Sequence, residues 1–256
     1  MPALYQPDSV SWRVNRESVV LLAGGRALLM QLAHPAVAAG VAEHSDFQRH
    51  PIARLLRTLG LSLALTFGTE EQTHEAARAI NRVHQRVQGR GYTARDPALL
   101  LWVQATLIDS ALTAYGTFVR PLSAAERAAY VEEGKAVGRL LGIPEQIYPT
   151  GLSAFEDYVR SMLEGPDLVV DARARALAAA VLRPPVRIVP GLVWLPTEAI
   201  TAGLLPHRLR EDFGIAWDTP RRFFFSSVTW ALPRLLPVVP APLRILPQAR
   251  VAGSVR

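Results

Sequence analysis

The sequence predicts an all-α fold, and three observations predict it. Apolar residues recur at the three- and four-residue spacing of a helix face along most of the 256 residues. Residues that cap and start helices stand between those segments. No stretch alternates apolar and polar residues over several strands, as a sheet would need. We therefore expect a single domain of about ten helices spanning residues 1–256.

The first third of the chain is predicted to hold three helices. They cover residues 17–33, 35–44 and 51–67. The first ends at His34, because the proline that follows disfavours helical backbone at the residue before it. The third is apolar on more than one side, so we expect it to be central and buried.

Capping residues predict where the next helices start. Thr69 and Gln72 form a capping box for a helix to about residue 88, which the glycines at positions 89 and 91 end. Asp96 before Pro97 predicts a helix to about residue 119. Further helices are expected from a second capping box at Ser123 to before Gly142, over 151–164 and over 170–182.

Proline and arginine distinguish the C-terminal segment, residues 184–256. Eleven of the 20 prolines lie between Pro184 and Pro247. Phe223 and Trp230 make this segment too apolar for a free tail, so we expect short helices packed on the core. From Phe223 to Arg250, aromatic and apolar residues alternate with Arg, which favours contact with a membrane surface as an alternative.

The composition excludes several classes of protein. Half of the residues are hydrophobic, which excludes a disordered chain. The absence of Cys excludes a disulfide scaffold, a thiolate zinc site, an iron–sulfur cluster and a thiolate-ligated haem. The net charge is +6, but the Arg residues are scattered, so no nucleic-acid partner is expected. The N-terminus lacks a secretory pattern, which predicts a cytoplasmic protein with peripheral membrane contact as an alternative.

Histidine is the residue type most suggestive of a cofactor. Five of the six lie within 51 residues, namely His34, His44, His50, His74 and His84. His84 shares the apolar face of its helix with Ala77, Ile80 and Val87. It is therefore either a core histidine hydrogen-bonded to the backbone or an axial ligand to a haem iron, because neutral imidazole in an apolar pocket holds haem b.

Two arginines and a threonine begin the apolar helix at 51–67. Arg54 and Thr58 are four residues apart and Arg57 is adjacent, so the three lie close together. Buried guanidinium groups need anionic partners, which are either protein carboxylates or haem propionates. Alternatively their heads extend to solvent at the helix start. The sequence His44-Ser45-Asp46 resembles the iron-binding H-x-D motif of non-haem oxygenases, but those usually have a β-barrel and this chain is predicted to be all-α. Candidate zinc ligands are His34, Glu43, His44 and His50, but their spacing matches no standard zinc motif.

Strings in a fixed order resemble a known family over residues 12–250. They include GRALL from residue 25, QLAHP from 31, RLLRTL from 54, FGT from 67, VHQRVQG from 83, WVQAT from 102 and VRPLS from 119. The chain thus resembles the catalytic-domain family shared by the mpaB oxygenase and latex clearing protein, a rubber oxygenase, as one of its short bacterial members.

This resemblance implies an all-helical fold around a pocket for one haem b, and cleavage of a carbon–carbon double bond with dioxygen. His84 lies 30 residues after Arg54 and matches the family's axial histidine, with dioxygen expected on the opposite side of the haem. Arg54 and Thr58 match distal or propionate-facing positions, and Arg57 stands where the latex-clearing branch has Lys. His34 is the second choice of ligand.

Two departures from the family pattern bear on the function. The family's distal glutamate has only Glu43 and Asp46 as candidate counterparts, and Gln104 replaces a histidine usual in short bacterial members. The favoured function is a haem-dependent oxygenase acting on an apolar alkene or isoprenoid-like small molecule, with an unidentified reductant. The alternatives are a haem carrier or sensor without turnover and a helical protein without haem that binds lipid.

Overall fold

Fourteen α-helices run through the residues described by the computed structural model, which are 4–45, 51–184 and 190–254. They are α1 (Val10–Asn15), α2 (Gly24–Leu32), α3 (Pro35–His44), α4 (Pro51–Phe67), α5 (Glu70–His84), α6 (Pro97–Phe118), α7 (Ala124–Leu140), α8 (Gly151–Glu164), α9 (Ala172–Leu182), α10 (Leu195–Leu204), α11 (His207–Asp212), α12 (Thr219–Leu235), α13 (Ala241–Arg244) and α14 (Pro247–Ser254). The described residues also form one two-stranded antiparallel hairpin, made of β1 (Gln88–Gly89) and β2 (Tyr92–Thr93). The all-α prediction is confirmed.

Side-chain caps begin the helices where the sequence predicts them. Gln72 donates its backbone N–H to the Thr69 hydroxyl and accepts from the Thr69 N–H, which completes the capping box of α5. The same reciprocal pair starts α7. Asp96 accepts from the N–H of Ala98 at the start of α6. These bonds satisfy N–H groups that have no partner within a helix.

Two elements differ from the prediction. The helix expected over 17–33 is a 3₁₀ segment, Ser18–Ala23, followed by α2, and α1 precedes both. α5 ends at His84 because the chain turns into the β1–β2 hairpin instead of continuing. Gly91 in that turn has a φ of +83°, a left-handed conformation that favours glycine.

α4 has the predicted bounds, but the expectation that it is central and buried is wrong. Leu63, Leu65 and Phe67 in its second half are buried. Leu56 in the first half is 62% exposed, and Arg57 is also exposed. The apolar pattern shows that a helix has several apolar sides, but it does not specify which of those sides a neighbouring helix covers.

The central helix is α6. Trp102 and Phe118 are fully buried. Arg26 of α2 reaches its middle, where Nη1 donates to the Ser110 hydroxyl at 2.7 Å and Nη2 pairs with Asp109 at 2.6 Å. α6 is long and apolar enough to cross a membrane by composition, but 61% of its most apolar window is buried inside the fold, as expected of a core helix.

Hydrogen bonds and an ion pair, which we call the terminal clamp, connect the C-terminal segment to the N-terminal part of the chain. Arg244 pairs with Glu17 through two bonds, Nε to Oε2 at 2.6 Å and Nη2 to Oε1 at 2.8 Å. The N–H of Leu246 donates to the carbonyl of Arg16 at 2.9 Å. Glu17 is only 1% exposed, so the clamp holds a buried carboxylate.

Candidate functional site

A cleft of about 600 Å³ opens beside the first turns of α6, and we call it the His34 cleft. Its lining combines aromatic, apolar and acidic side chains from several helices and from the β1–β2 turn. The lining residues are His34, Ala36, Gly91, Tyr92, Asp96, Pro97, Ala98, Leu99, Leu101, Trp102, Ile147, Tyr158, Met162 and Asp167. The volume is in the range of small-molecule sites.

His34 enters this cleft as the cap of α3. Its Nδ1 accepts a hydrogen bond from the N–H of Ala36 at 3.2 Å. Burial lowers the pKa of His34 in spite of Asp96 and Asp167 nearby, so the ring is neutral at pH 7. Because Nδ1 acts as the acceptor, the single proton of the neutral ring is on Nε2. His34 therefore offers an N–H donor, and not a free lone pair for a metal.

Two further donors line the same cleft. Trp102 is fully buried, and its Nε1 has no hydrogen-bond partner among the described residues. Burial and the charge of Asp167 raise the pKa of Tyr158 to about 12, so its hydroxyl keeps its proton. Neutral donors on largely apolar walls suit an apolar molecule that carries an oxygen acceptor.

His84 is the last residue of α5 and is half-buried. Desolvation lowers the pKa of its ring, which favours neutral imidazole, the form that binds a metal. Its Nδ1 is buried and has no hydrogen-bond partner within residues 4–45, 51–184 and 190–254. An unpartnered buried nitrogen is costly unless a bound group engages it.

The α4–α5 hairpin places Arg54 at the same height as His84. The Thr73 hydroxyl donates to the carbonyl of Ala64 at 3.2 Å, which fixes the register of the two antiparallel helices. Arg54 lies ten residues before Ala64, and His84 lies eleven residues after Thr73. At about 1.5 Å of rise per residue the two positions coincide along the hairpin axis.

The other residues predicted on α4 lie toward solvent. Arg54 is half-buried, whereas Arg57 and Thr58 are exposed. Neither these three residues nor His84 lines the His34 cleft. His34 therefore belongs to a different site from the predicted residues of α4 and α5. The two regions are connected through β2, which follows α5 and supplies Tyr92 to the cleft wall.

Of the candidate carboxylates and metal ligands, the structure describes only some. Glu43 accepts from the Tyr92 hydroxyl at 2.6 Å and from Arg173 at 3.3 Å, at the edge of the cleft. Asp46 and His50 lie outside the described residues, so the H-x-D motif is untested. Among the described residues, no three His, Asp or Glu side chains converge as a metal site would require.

Gln104 bridges three helical segments in the core. Its Nε2 donates to the carbonyl of Gly134 at 2.6 Å, and its Oε1 accepts from the Tyr148 hydroxyl at 2.6 Å. Gln104 is 7% exposed. Gly138 leaves room for this network, since a Cβ there would lie 1.5 Å from the Tyr148 hydroxyl oxygen. A histidine also has one donor and one acceptor nitrogen, so Gln104 retains the hydrogen-bonding capacity of the family residue.

We expect Gln104→His to change the free energy of unfolding by less than about 1 kcal/mol, and Gln104→Leu to lower it by about 1–3 kcal/mol. Leucine leaves the buried Tyr148 hydroxyl without its acceptor and removes the bond from Gln104 to the Gly134 carbonyl, which keeps only its bond within α7. Urea unfolding of the two variants beside the wild type measures the difference. Equal stability of the His and Leu variants would contradict this role.

The sequence patterns missed most of the cleft. Trp102, Tyr158 and Asp167 line it, but they stand on separate elements, and only the tertiary fold brings them together. One signal was available, because His34-Pro35 and Asp96-Pro97 both place a capping side chain before a proline at a helix start. Both caps line the cleft.

Comparison with known proteins identifies the family. The family model described as ER-bound oxygenase mpaB/B'/Rubber oxygenase, catalytic domain, matches residues 12–234. An uncharacterized protein of Mycobacterium tuberculosis and one of Mycobacterium bovis are each 32% identical over 226 residues, which is 82% of this chain and 87% of theirs. No solved structure matches significantly. The chain therefore belongs to the oxygenase catalytic-domain family of mpaB and the rubber oxygenases.

Proposed function

We propose that this protein is a haem b-dependent oxygenase of apolar alkenes, with His84 as the axial ligand. The observation that carries the proposal is the unpartnered, buried Nδ1 of a neutral His84 in a chain of the oxygenase family. A bound iron gives this imidazole a partner and removes the cost of leaving it unsatisfied.

The residues around His84 fit the haem group. Arg54, half-buried at the same height on α4, and Arg57 beside it supply positive charge for the propionates. Leu56 and Val83, which are 62% and 58% exposed, offer apolar surface at this end of the hairpin. Thr58 adds a hydroxyl one turn after Arg54. When bound, haem supplies the iron at which dioxygen is activated.

The His34 cleft is the proposed substrate site. Its apolar walls would hold the hydrocarbon part of the molecule, and the N–H donor of His34 and the O–H donor of Tyr158 would orient an oxygen-bearing end. The β1–β2 hairpin begins four residues after His84 and contributes Gly91 and Tyr92 to the cleft. The proposed cofactor ligand and substrate site are therefore joined by one short stretch of chain.

The proposed reaction consumes one alkene and one dioxygen molecule and gives two carbonyl groups. Both oxygen atoms enter the products, so the overall reaction consumes no reducing equivalents, and the unidentified reductant would serve only to prepare the bound cofactor. A haem carrier or sensor is the alternative, but the position of Gln104 in a satisfied core network removes the main sequence argument for it. A cytoplasmic location remains part of the proposal.

Titration of the purified protein with hemin tests the cofactor. We expect a Soret band that saturates at one haem per chain. The reduced protein is then mixed with dioxygen and squalene, a small isoprenoid hydrocarbon that serves as the probe. Carbonyl products are trapped as hydrazones. Haem binding without oxygen uptake on any isoprenoid alkene supports the carrier, and the absence of saturable binding overturns both haem functions.

A further inference from the structure

The net positive charge of the protein comes from one end of the chain. Residues 1–218 hold 22 basic and 22 acidic residues, so they carry no formal net charge. The segment 219–256 contains six arginines and no Asp or Glu, and thus accounts for the whole net charge of +6. We call residues 219–254 of this segment, which the structure describes, the basic segment.

α12, the long helix of the basic segment, has two different apolar faces. Phe224, Phe225 and Leu232 pack inward against a cluster that includes Phe118 of α6. Phe223 and Trp230, seven residues apart and therefore on one face, lie on the opposite side and are 74% and 63% exposed. A helix that needed only to cover the core would have no use for aromatic side chains on its outer face.

Exposed apolar residues continue beyond α12. Leu235, Val238 and Leu243 are 55%, 77% and 75% exposed. These three residues also lie beyond the part of the chain that matches the family model. Exposed aliphatic side chains therefore follow the outward aromatic face along the chain.

Three exposed arginines accompany this surface. Arg222 bonds to Thr219, and the Arg234 guanidinium stacks on Trp230 with its carbon 4.5 Å from the ring centroid. Arg222, Arg234 and Arg250 form no ion pair with the described residues. In contrast, Arg221 and Arg244 pair with Glu198 and Glu17. The exposed surface thus combines aromatic rings, aliphatic side chains and uncompensated positive charge.

We propose that this surface docks the protein on an anionic lipid bilayer. Trp and Phe insert at the boundary between headgroups and acyl chains, and arginines beside them pair with lipid phosphates. A second copy of the chain is a poorer occupant, because a symmetric pairing would bring the same uncompensated arginines together. The proposal is independent of the haem and of the oxygenase reaction.

Vesicle flotation of the full chain tests the docking. We expect the protein to float with vesicles of phosphatidylglycerol and phosphatidylcholine at low salt, and to bind phosphatidylcholine alone more weakly. F223S/W230S is expected to lower the partition coefficient about tenfold. R222Q/R234Q is expected to lower binding to anionic vesicles by about fivefold per arginine, with little effect on neutral ones.

L107S/V169S is the matched control, since Leu107 and Val169 are about half exposed and lie outside the basic segment. It should float like the wild type. Circular dichroism confirms that each variant is folded. Flotation unchanged in F223S/W230S overturns the proposal. So does light scattering that shows a dimer in the wild type and a monomer in F223S/W230S, because the surface would then be a contact between copies.

Discussion

His84→Ala is expected to abolish haem binding, whereas His34→Ala is expected to leave it intact. The two histidines are both neutral and partly buried, yet their ring nitrogens differ. His34 uses Nδ1 to cap α3 and holds its proton on Nε2. His84 has a buried Nδ1 without a described partner. Only His84 therefore has a nitrogen lone pair that the fold leaves unused.

Hemin titration of both variants, followed by the Soret band, measures this difference. We expect the affinity of His84→Ala to fall at least a hundredfold, since the other histidine near this end of the hairpin, His44, uses its Nε2 in a bond to the carbonyl of Gln88. Adding imidazole to His84→Ala should restore the Soret band of the wild type, because the free imidazole takes the place of the missing side chain. A Soret band lost in His34→Ala and kept in His84→Ala would reverse the assignment.

His34→Ala has its own expected effect. Loss of the cap leaves the Ala36 N–H without its acceptor, and we expect stability to fall by about 1 kcal/mol. His34→Asn is the matched variant, because an amide oxygen caps helices equally well. The Asn variant should regain the stability but not the Nε2 donor in the cleft, which separates the structural role of His34 from its proposed contact with substrate.

The second large effect is expected at the terminal clamp. Arg244→Met removes both short bonds to Glu17 and leaves a carboxylate that is 1% exposed. Arg16 Nε lies 3.8 Å from this carboxylate and replaces neither bond. Breaking a buried pair from one side costs about 3–5 kcal/mol. We expect the free energy of unfolding to fall by that amount.

Urea unfolding at neutral pH measures the loss. The double variant E17Q/R244M removes the unpaired charge, so it should recover part of the stability that R244M loses. R250M is the control, since Arg250 is exposed in the same segment and has no ion pair with the described residues. An R244M loss no larger than that of R250M would show that the clamp contributes little.

Local chemistry made most helices predictable. The Thr69 and Ser123 capping boxes and the Asp96-Pro97 start each depend on residues within four positions of one another, and each forms as predicted. α4 shows where this reasoning stops. Its apolar residues specify a helix, but its exposure depends on neighbours that are distant in sequence. Periodicity cannot reveal them.

The site was predictable only in part for the same reason. His84 was recognisable from its apolar helical face and from the family resemblance. The His34 cleft was not, because Tyr158 and Asp167 reach it from parts of the chain far from His34. In the sequence Gln104 is only a departure from the family pattern, because a sequence does not show that its side chain is bonded to both Gly134 and Tyr148.

The terminal clamp also constrains how the protein can be made. Glu17 and Arg244 are 227 positions apart, so the carboxylate emerges from the ribosome long before its partner has been synthesised. During that interval the N-terminal region cannot bury Glu17 with the two short bonds that Arg244 supplies in the folded protein. Its final packing must therefore wait until Arg244 has been synthesised and has left the ribosome, and translation products truncated before Arg244 should be targets for chaperones and proteases.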